Sequence, residues 1–274
     1  MKTRVISALA MVPLLLIFYF GGYWLMALAL IISVIALKEF YHGFENMDVH
    51  PNLKIGYCGI AVLYIMNAYM YYMGDFNNIF LIAWLVLVIM AGSVYMFNIE
   101  KVRPVDAMAT SQGLIYVVFF AFHAVLVDQL NVYSNMKWLM LLTAFGSDIC
   151  AYFAGMLLGR HKLCPKLSPK KTIEGAIGGV IGSVALCALF GYFVMKPLLI
   201  HCIVIGLIGS PISMLGDLTA SAYKRTMGIK DYGDLIPGHG GIMDRFDSVL
   251  FTAPFVYYYI VIVMQYFAIA MPAQ

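Results

Sequence analysis

Residues 221–247 read Ser221-Ala-Tyr-Lys-Arg-Thr-Met-Gly-Ile-Lys-Asp-Tyr-Gly-Asp-Leu-Ile-Pro-Gly-His-Gly-Gly-Ile-Met-Asp-Arg-Phe-Asp247. Four cations, four carboxylates, one histidine and five glycines fall within this stretch. The chain around it is mostly hydrocarbon: of 274 residues, 63% are hydrophobic and 11% charged. A soluble domain holds about 45–50% apolar and about 25% charged residues. The composition therefore specifies an integral membrane protein, in which ionisable groups are costly and mark function. Carboxylates suit a hard cation such as Mg2+, while Lys, Arg and glycine-rich backbone suit phosphates. Together they point to a metal and a polyphosphate at a lipid boundary.

Outward from this stretch, apolar runs occur near 5–20, 22–37, 55–73, 79–97, 110–128, 138–158, 175–195, 198–216 and 249–270. A spanning helix needs about 20 residues, so the expected fold is an all-α, polytopic helical bundle of about nine transmembrane helices. Lipid offers no partner to unpaired backbone groups, and the runs lack the strict alternation of barrel strands. The first two runs are short and meet at Gly21-Gly22. The Ala8-Leu9-Ala10 sequence comes too early for signal cleavage, so the N-terminal run is expected to be a retained helix.

Basic residues set the orientation. With a cytoplasmic N-terminus and nine crossings, every Lys and Arg except Lys137 and Lys196 falls inside. Both polar loops, 159–174 and 217–248, then share the cytoplasmic face. A net charge of +3 leaves no footprint for nucleic acid. Five scattered cysteines form no CxxC motif and behave as small hydrophobes. The pairs Gly155/Gly159, Gly175/Gly179 and Gly178/Gly182 allow close helix packing, within the bundle or, for the seventh run, at a homodimer seam. No linker or repeat divides the chain, so one membrane domain over 1–274 is expected, with residues 1–135 as generic helices and 136–274 as the catalytic part.

Three constellations carry candidate chemistry. Ser168-Pro-Lys-Lys-Thr-Ile-Glu-Gly is expected to begin a helix at Pro169, with Lys170, Lys171 and Thr172 in its first turn. An anion there would meet free amides, the helix dipole and two ammonium groups. Glu174 would orient a lysine or complement the dipole. Arg160, Lys162 and Lys166 equally suit a purely topological role or contact with anionic headgroups. Asp148 lies inside an apolar run with Tyr152 and Gly155 following on its helical face, which suits a helix–helix hydrogen bond or a substrate cavity. Asp217, Ser221 and Lys224 share a face if their helix continues beyond the membrane. Downstream, Gly240 and Gly241 permit positive φ and close approach of amides to phosphate oxygens. Asp244 and Asp247 open the last helix, Asp247 as a cap or a ligand. His239, between glycines, suits a phosphate donor or proton carrier.

These residues resemble the C-terminal pattern of phosphatidate cytidylyltransferases, also called CDP-diacylglycerol synthases. Ser221, Lys224, Arg225, Lys230, Asp231, Gly233, Ile236, Pro237, His239, Gly240, Gly241, Asp244, Arg245 and Asp247 sit at the pattern's spacing, and Tyr223 departs from it. Asp148, Tyr152, Gly155 and the Ser168–Gly175 segment also look like that family. The resemblance covers 140–270 well and earlier residues only as apolar helices. It implies transfer of CMP from CTP to phosphatidic acid, with Mg2+ held by Asp217 and Asp244 and a monovalent cation such as K+ beside it. It implies catalytic roles for Asp217, Lys224, Arg225, Asp231, His239, Asp244, Arg245 and Asp247. Substrate-binding roles fall on Asp148, Tyr152, Ser168, Lys170, Lys171, Thr172, Glu174, Ser221, Lys230, Gly240 and Gly241. The implied setting is a bacterial-type inner membrane, with membrane lipid as a partner. A CTP-dependent lipid kinase and a transporter are the rival readings. The Asp-Gly-x-x-Ala-Arg motif of CDP-alcohol phosphotransferases is absent.

Overall fold

The computed structural model describes residues 13–74, 79–235 and 240–265. Among these described residues, eight helices are long and apolar enough to cross a membrane. They are α1 (Gly22–Glu45), α2 (Leu53–Met73), α3 (Ile79–Met96), α4 (Pro104–Asp128), α5 (Asn131–Leu158), α6 (Ile173–Val194), α7 (Lys196–Thr226) and α8 (Met243–Met264). Residues 13–20 are helical as well, and the rest of the expected 5–20 span lies outside the described residues. The polytopic helical bundle expected from composition is the fold observed. Gly21 and Gly22 both take positive φ, 65° and 56°, a conformation that interrupts the helix where the sequence places the glycine pair.

One expectation fails. Ser168–Thr172 forms a strand, β2, antiparallel to β1 (Lys162–Cys164), with Lys162 opposite Thr172 and Cys164 opposite Ser168. The helix starts only at Ile173, where Thr172 is the cap and its Oγ1 accepts the Gly175 amide at 3.1 Å. Pro169 is compatible with the strand because a two-stranded sheet has free outer edges that need no donor. Thr supplies the capping oxygen four residues later than expected.

The chain divides into two compact units, Met1–Val125 with Thr226–Arg245, and Leu126–Arg225 with Phe246–Gln274. In the first unit, α1 buries Leu25, Ala29, Ser33, Ala36, Leu37, Phe40 and Tyr41, a face repeating every three to four residues. Its few polar groups are satisfied: Ser33 Oγ and Tyr64 Oη lie 3.0 Å apart, and Tyr41 Oη donates to Thr110 O at 2.5 Å. Trp84 stacks on Phe119 with ring centres 5.8 Å apart, while its Nε1 donates to Gly59 O at 2.8 Å. At the start of α4, Asp106 accepts the amides of His50 at 2.8 Å and Arg103 at 2.9 Å. The Arg103 guanidinium also binds Asp106, which raises its already high pKa.

In the second unit, α5 and α6 pack along their small residues. A side chain at Gly178 would strike Ala154, one at Gly182 would strike Cys150, and a Cβ at Gly175 would come within 2.9 Å of Ala151 O. Those glycine faces are therefore covered by a neighbouring helix of the same chain. A π-turn at Leu142–Gly146 precedes Ser147 in α5, and such turns rephase the side chains that follow. Nearby, Ser147 Oγ lies 2.6 Å from Ser210 Oγ. Lys137 Nζ donates to Asp128 Oδ1 at 2.5 Å, with both side chains buried.

Candidate active site

The second unit holds a cavity of about 420 Å3 lined by Asp148, Tyr152, Gly155, Ser168, Lys170, Lys171, Thr172 and Asp217, among others. Each wall has a local cause. After its π-turn α5 is regular, so Asp148, Tyr152 and Gly155 at i, i+4 and i+7 present one face. The β-hairpin brings Ser168, Lys170 and Lys171 to the cavity as strand residues, and α7 supplies Asp217.

The hairpin is held from both ends. Glu174, in the first turn of α6, accepts the amides of Arg160 at 3.0 Å and His161 at 3.2 Å, and meets His161 Nδ1 at 2.6 Å. Its place in the first turn suits the expected complement to the helix dipole, and it also fastens the start of the hairpin. Arg225 Nε donates to Leu167 O at 3.4 Å, reaching the hairpin turn from the end of α7.

Charges inside the cavity are offset. Lys171 Nζ forms an ion pair with Asp217 Oδ2, each about a quarter exposed. Ser221 Oγ approaches Asp217 Oδ1 at 3.5 Å. This contact confirms that α7 continues as a regular helix past 216. Asp247 is buried and lies within electrostatic range of Asp217, Lys224 and Asp148. Its Oδ1 accepts the Ser248 amide at 2.8 Å. Asp247 sits in the second turn of α8, so the capping reading does not hold. Ser248 Oγ stands 3.4 Å from both Asp148 Oδ2 and Asp247 Oδ1, a contact the sequence did not suggest.

The first unit gathers the other expected residues. Asp244 is buried, and its Oδ2 accepts the amides of Tyr232 at 2.8 Å and Gly241 at 3.0 Å. Gly240 takes a φ of 83°, as its role in a sharp turn requires. The Gly241 amide, expected to face phosphate, is thus taken by a carboxylate. Lys230 and Asp231 are exposed and Arg245 is half-buried. His239 lies outside the described residues, as do Ile236 and Pro237. Sequence reasoning missed Glu39 of α1. Its Oε1 accepts the Ile242 amide at 3.1 Å and its Oε2 accepts the Met243 amide at 2.8 Å. No local pattern announces a partner 203 positions away.

Fold and cavity together define a polytopic membrane protein with a polar cavity in which a hairpin lysine, Lys171, faces the helix carboxylate Asp217. The chain belongs to the cytidylyltransferase family, whose model matches residues 2–263. A phosphatidate cytidylyltransferase of Staphylococcus haemolyticus is 35% identical over 258 residues, 92% of this chain and 94% of that protein. One from Synechocystis is 48% identical over 121 residues, 44% of this chain and 41% of that protein. One from Bacillus subtilis is 45% identical over 115 residues, 42% of this chain and 43% of that protein.

Proposed function

We infer that this chain transfers CMP from CTP to phosphatidic acid, forming CDP-diacylglycerol and pyrophosphate for phospholipid biosynthesis. The observation that carries this reading is the cavity in which Lys170 and Lys171 stand with Asp148 and Asp217, in a chain related along most of its length to phosphatidate cytidylyltransferases.

The chemistry asks little of the protein beyond placement and charge. An oxygen of the lipid phosphate forms a bond to the α-phosphorus of CTP as the bond to the bridging oxygen breaks and pyrophosphate leaves. The nucleophile is already anionic near neutral pH, so no serine or cysteine needs activation. Catalysis then rests on positioning two polyanions and on stabilising spreading charge. Lys170, Lys171, Lys224 and Arg225 supply cations for that purpose.

Mg2+ fits the donor chemistry. Among the described residues no group of three or more His, Cys, Asp or Glu forms a ready-made metal cage. Mg2+ commonly binds through one or two carboxylates and completes its shell with water and substrate phosphates. We assign Asp217 and Asp244 to hold it, following the family resemblance, with a monovalent cation nearby. When bound, the ion would neutralise phosphate charge. The same reading places the protein in a bacterial plasma membrane with its site towards the cytoplasm, where CTP is found.

The test is direct. Purified full-length chain is incubated with labelled CTP, dioleoyl phosphatidate and Mg2+. Labelled CDP-lipid and pyrophosphate are expected in equal amounts. Their absence in several detergents and in lipid vesicles, or phosphate transfer to a lipid alcohol instead, would overturn the reading.

A further inference from the structure

We propose that Glu39 is a positioning residue for this reaction: its carboxylate caps the first turn of α8 and so fixes Asp244 and the turn at residues 240–243. The proposal rests on the assignment of Asp244 to the metal. It concerns a residue far from every motif, in the part of the chain that composition describes only as apolar helix.

Helices begin with amides that have no intrahelical partner. Here three consecutive amides are taken by two carboxylates. Gly241 N donates to Asp244 Oδ2 at 3.0 Å, Ile242 N to Glu39 Oε1 at 3.1 Å and Met243 N to Glu39 Oε2 at 2.8 Å. A negative group at this end of a helix also meets the positive end of its dipole. Hydrogen bonds from amides to a carboxylate are stronger than neutral ones.

The surroundings are shaped to the Glu39 carboxylate. A Cβ at Gly233 would lie 2.7 Å from Glu39 Oε1, and one at Gly241 would strike the same carboxylate. Both glycines thus make room for it. The adjacent Phe40 is fully buried and packs on the ring of Tyr232 with centres 5.9 Å apart. The Tyr232 amide in turn donates to Asp244 at 2.8 Å. One turn along α1, a Cβ at Gly43 would come within 2.7 Å of Met227 Sδ. One face of α1 therefore docks the loop at both ends, and Glu39 is the member of that face that grips the start of α8. In Glu39→Gln one of the amides at 242 and 243 loses its acceptor and the other keeps only a neutral one; in Glu39→Ala both lose theirs, and the turn that aims Asp244 loses its anchor.

The experiment uses full-length protein in detergent and in vesicles, comparing wild type with Glu39→Gln, Glu39→Ala and, as a control, Glu45→Gln. Glu45 is exposed and partnered by His42. Two readouts are taken: hydrogen exchange of a peptide covering 240–246, and the Mg2+ concentration giving half-maximal CDP-lipid formation. In Glu39→Gln, exchange in that peptide should quicken about tenfold and the Mg2+ requirement should rise about tenfold, with a larger change in Glu39→Ala. Glu45→Gln should leave both unchanged. Adding Gly241→Ala should cost about tenfold in wild type and about twofold or less in Glu39→Ala, because the carboxylate it strikes is gone.

Unchanged exchange at 240–246 in the Glu39 variants would overturn the proposal. So would faster exchange throughout the chain with the Mg2+ requirement of the active fraction unaltered, which is the signature of mere destabilisation. A wild-type chain that makes no CDP-lipid would instead remove the assigned reaction, and the exchange data would then decide the capping alone.

Discussion

Asp217 and Asp244 are both carboxylates beside hydrocarbon, yet their charges are compensated by opposite means. Asp217, in the second unit, faces a cavity and is paired with the side chain of Lys171 on a hairpin. Asp244, in the first unit, is buried and bound by two backbone amides. An ammonium on a four-carbon stem can be redirected to a phosphate when substrate arrives. An amide is fixed by the fold. The contrast suggests a division of labour: Asp217 belongs to a site that reorganises, Asp244 to one that is set in advance.

The sharpest way to break the comparison is to neutralise each acid in turn. Asp217→Asn and Asp244→Asn should each lower turnover about a thousandfold if the two acids hold the metal as proposed. Their side effects should differ. At 244 both amides meet the same oxygen, so the Asn carbonyl can still accept from Tyr232 and Gly241, but as a neutral acceptor it holds them less strongly than a carboxylate does. Thermal unfolding should therefore fall further for Asp244→Asn than for Asp217→Asn. Equal shifts would show that amide binding does not distinguish the two acids, and retained turnover in either variant would remove that residue from the metal.

The lysines come next. Lys171→Met leaves Asp217 without its ammonium and removes a cation from the cavity, and turnover should fall about a hundredfold. Lys170 is exposed at the same cavity. Lys170→Ala should raise the KM for CTP about fivefold at low salt, with the effect shrinking as salt screens it. Lys162→Ala, on an exposed residue of β1 that does not line the cavity, should change KM about twofold or less. Equal small effects for all three would return the hairpin to a purely topological role.

What was legible follows the range of the interactions. The spanning helices, the shared face of Asp148, Tyr152 and Gly155, and the Asp217–Ser221 neighbourhood all depend on residues within a few turns of one helix, where periodicity speaks directly. The hairpin was misread because Ser168-Pro169 imitates a helix start. Its true state depends on pairing with 162–164 across a turn, which no single-helix pattern encodes. Glu39 was invisible for a stronger reason. A lone acid near the end of an apolar run looks like a boundary charge, and its partners become evident only when Ile242 and Met243 are brought to it. Even the glycines at 233 and 241 signal a close approach without naming what approaches.

Ser248→Ala is the mildest of these tests and separates two kinds of contact at one residue. The hydroxyl stands 3.4 Å from Asp148 and from Asp247. It carries one proton, so it serves one carboxylate at a time. Both distances exceed those of strong O–H···O bonds. The backbone amide of Ser248, at 2.8 Å from Asp247 Oδ1, holds that acid more firmly and survives the substitution. Turnover should therefore fall only about two- to threefold, with no change in thermal unfolding. A loss approaching that of Asp217→Asn would mean that the hydroxyl, rather than the amide, fixes the Asp148–Asp247 pair. The second unit's acids would then depend on side-chain partners throughout, and the contrast with amide-bound Asp244 would become sharper still.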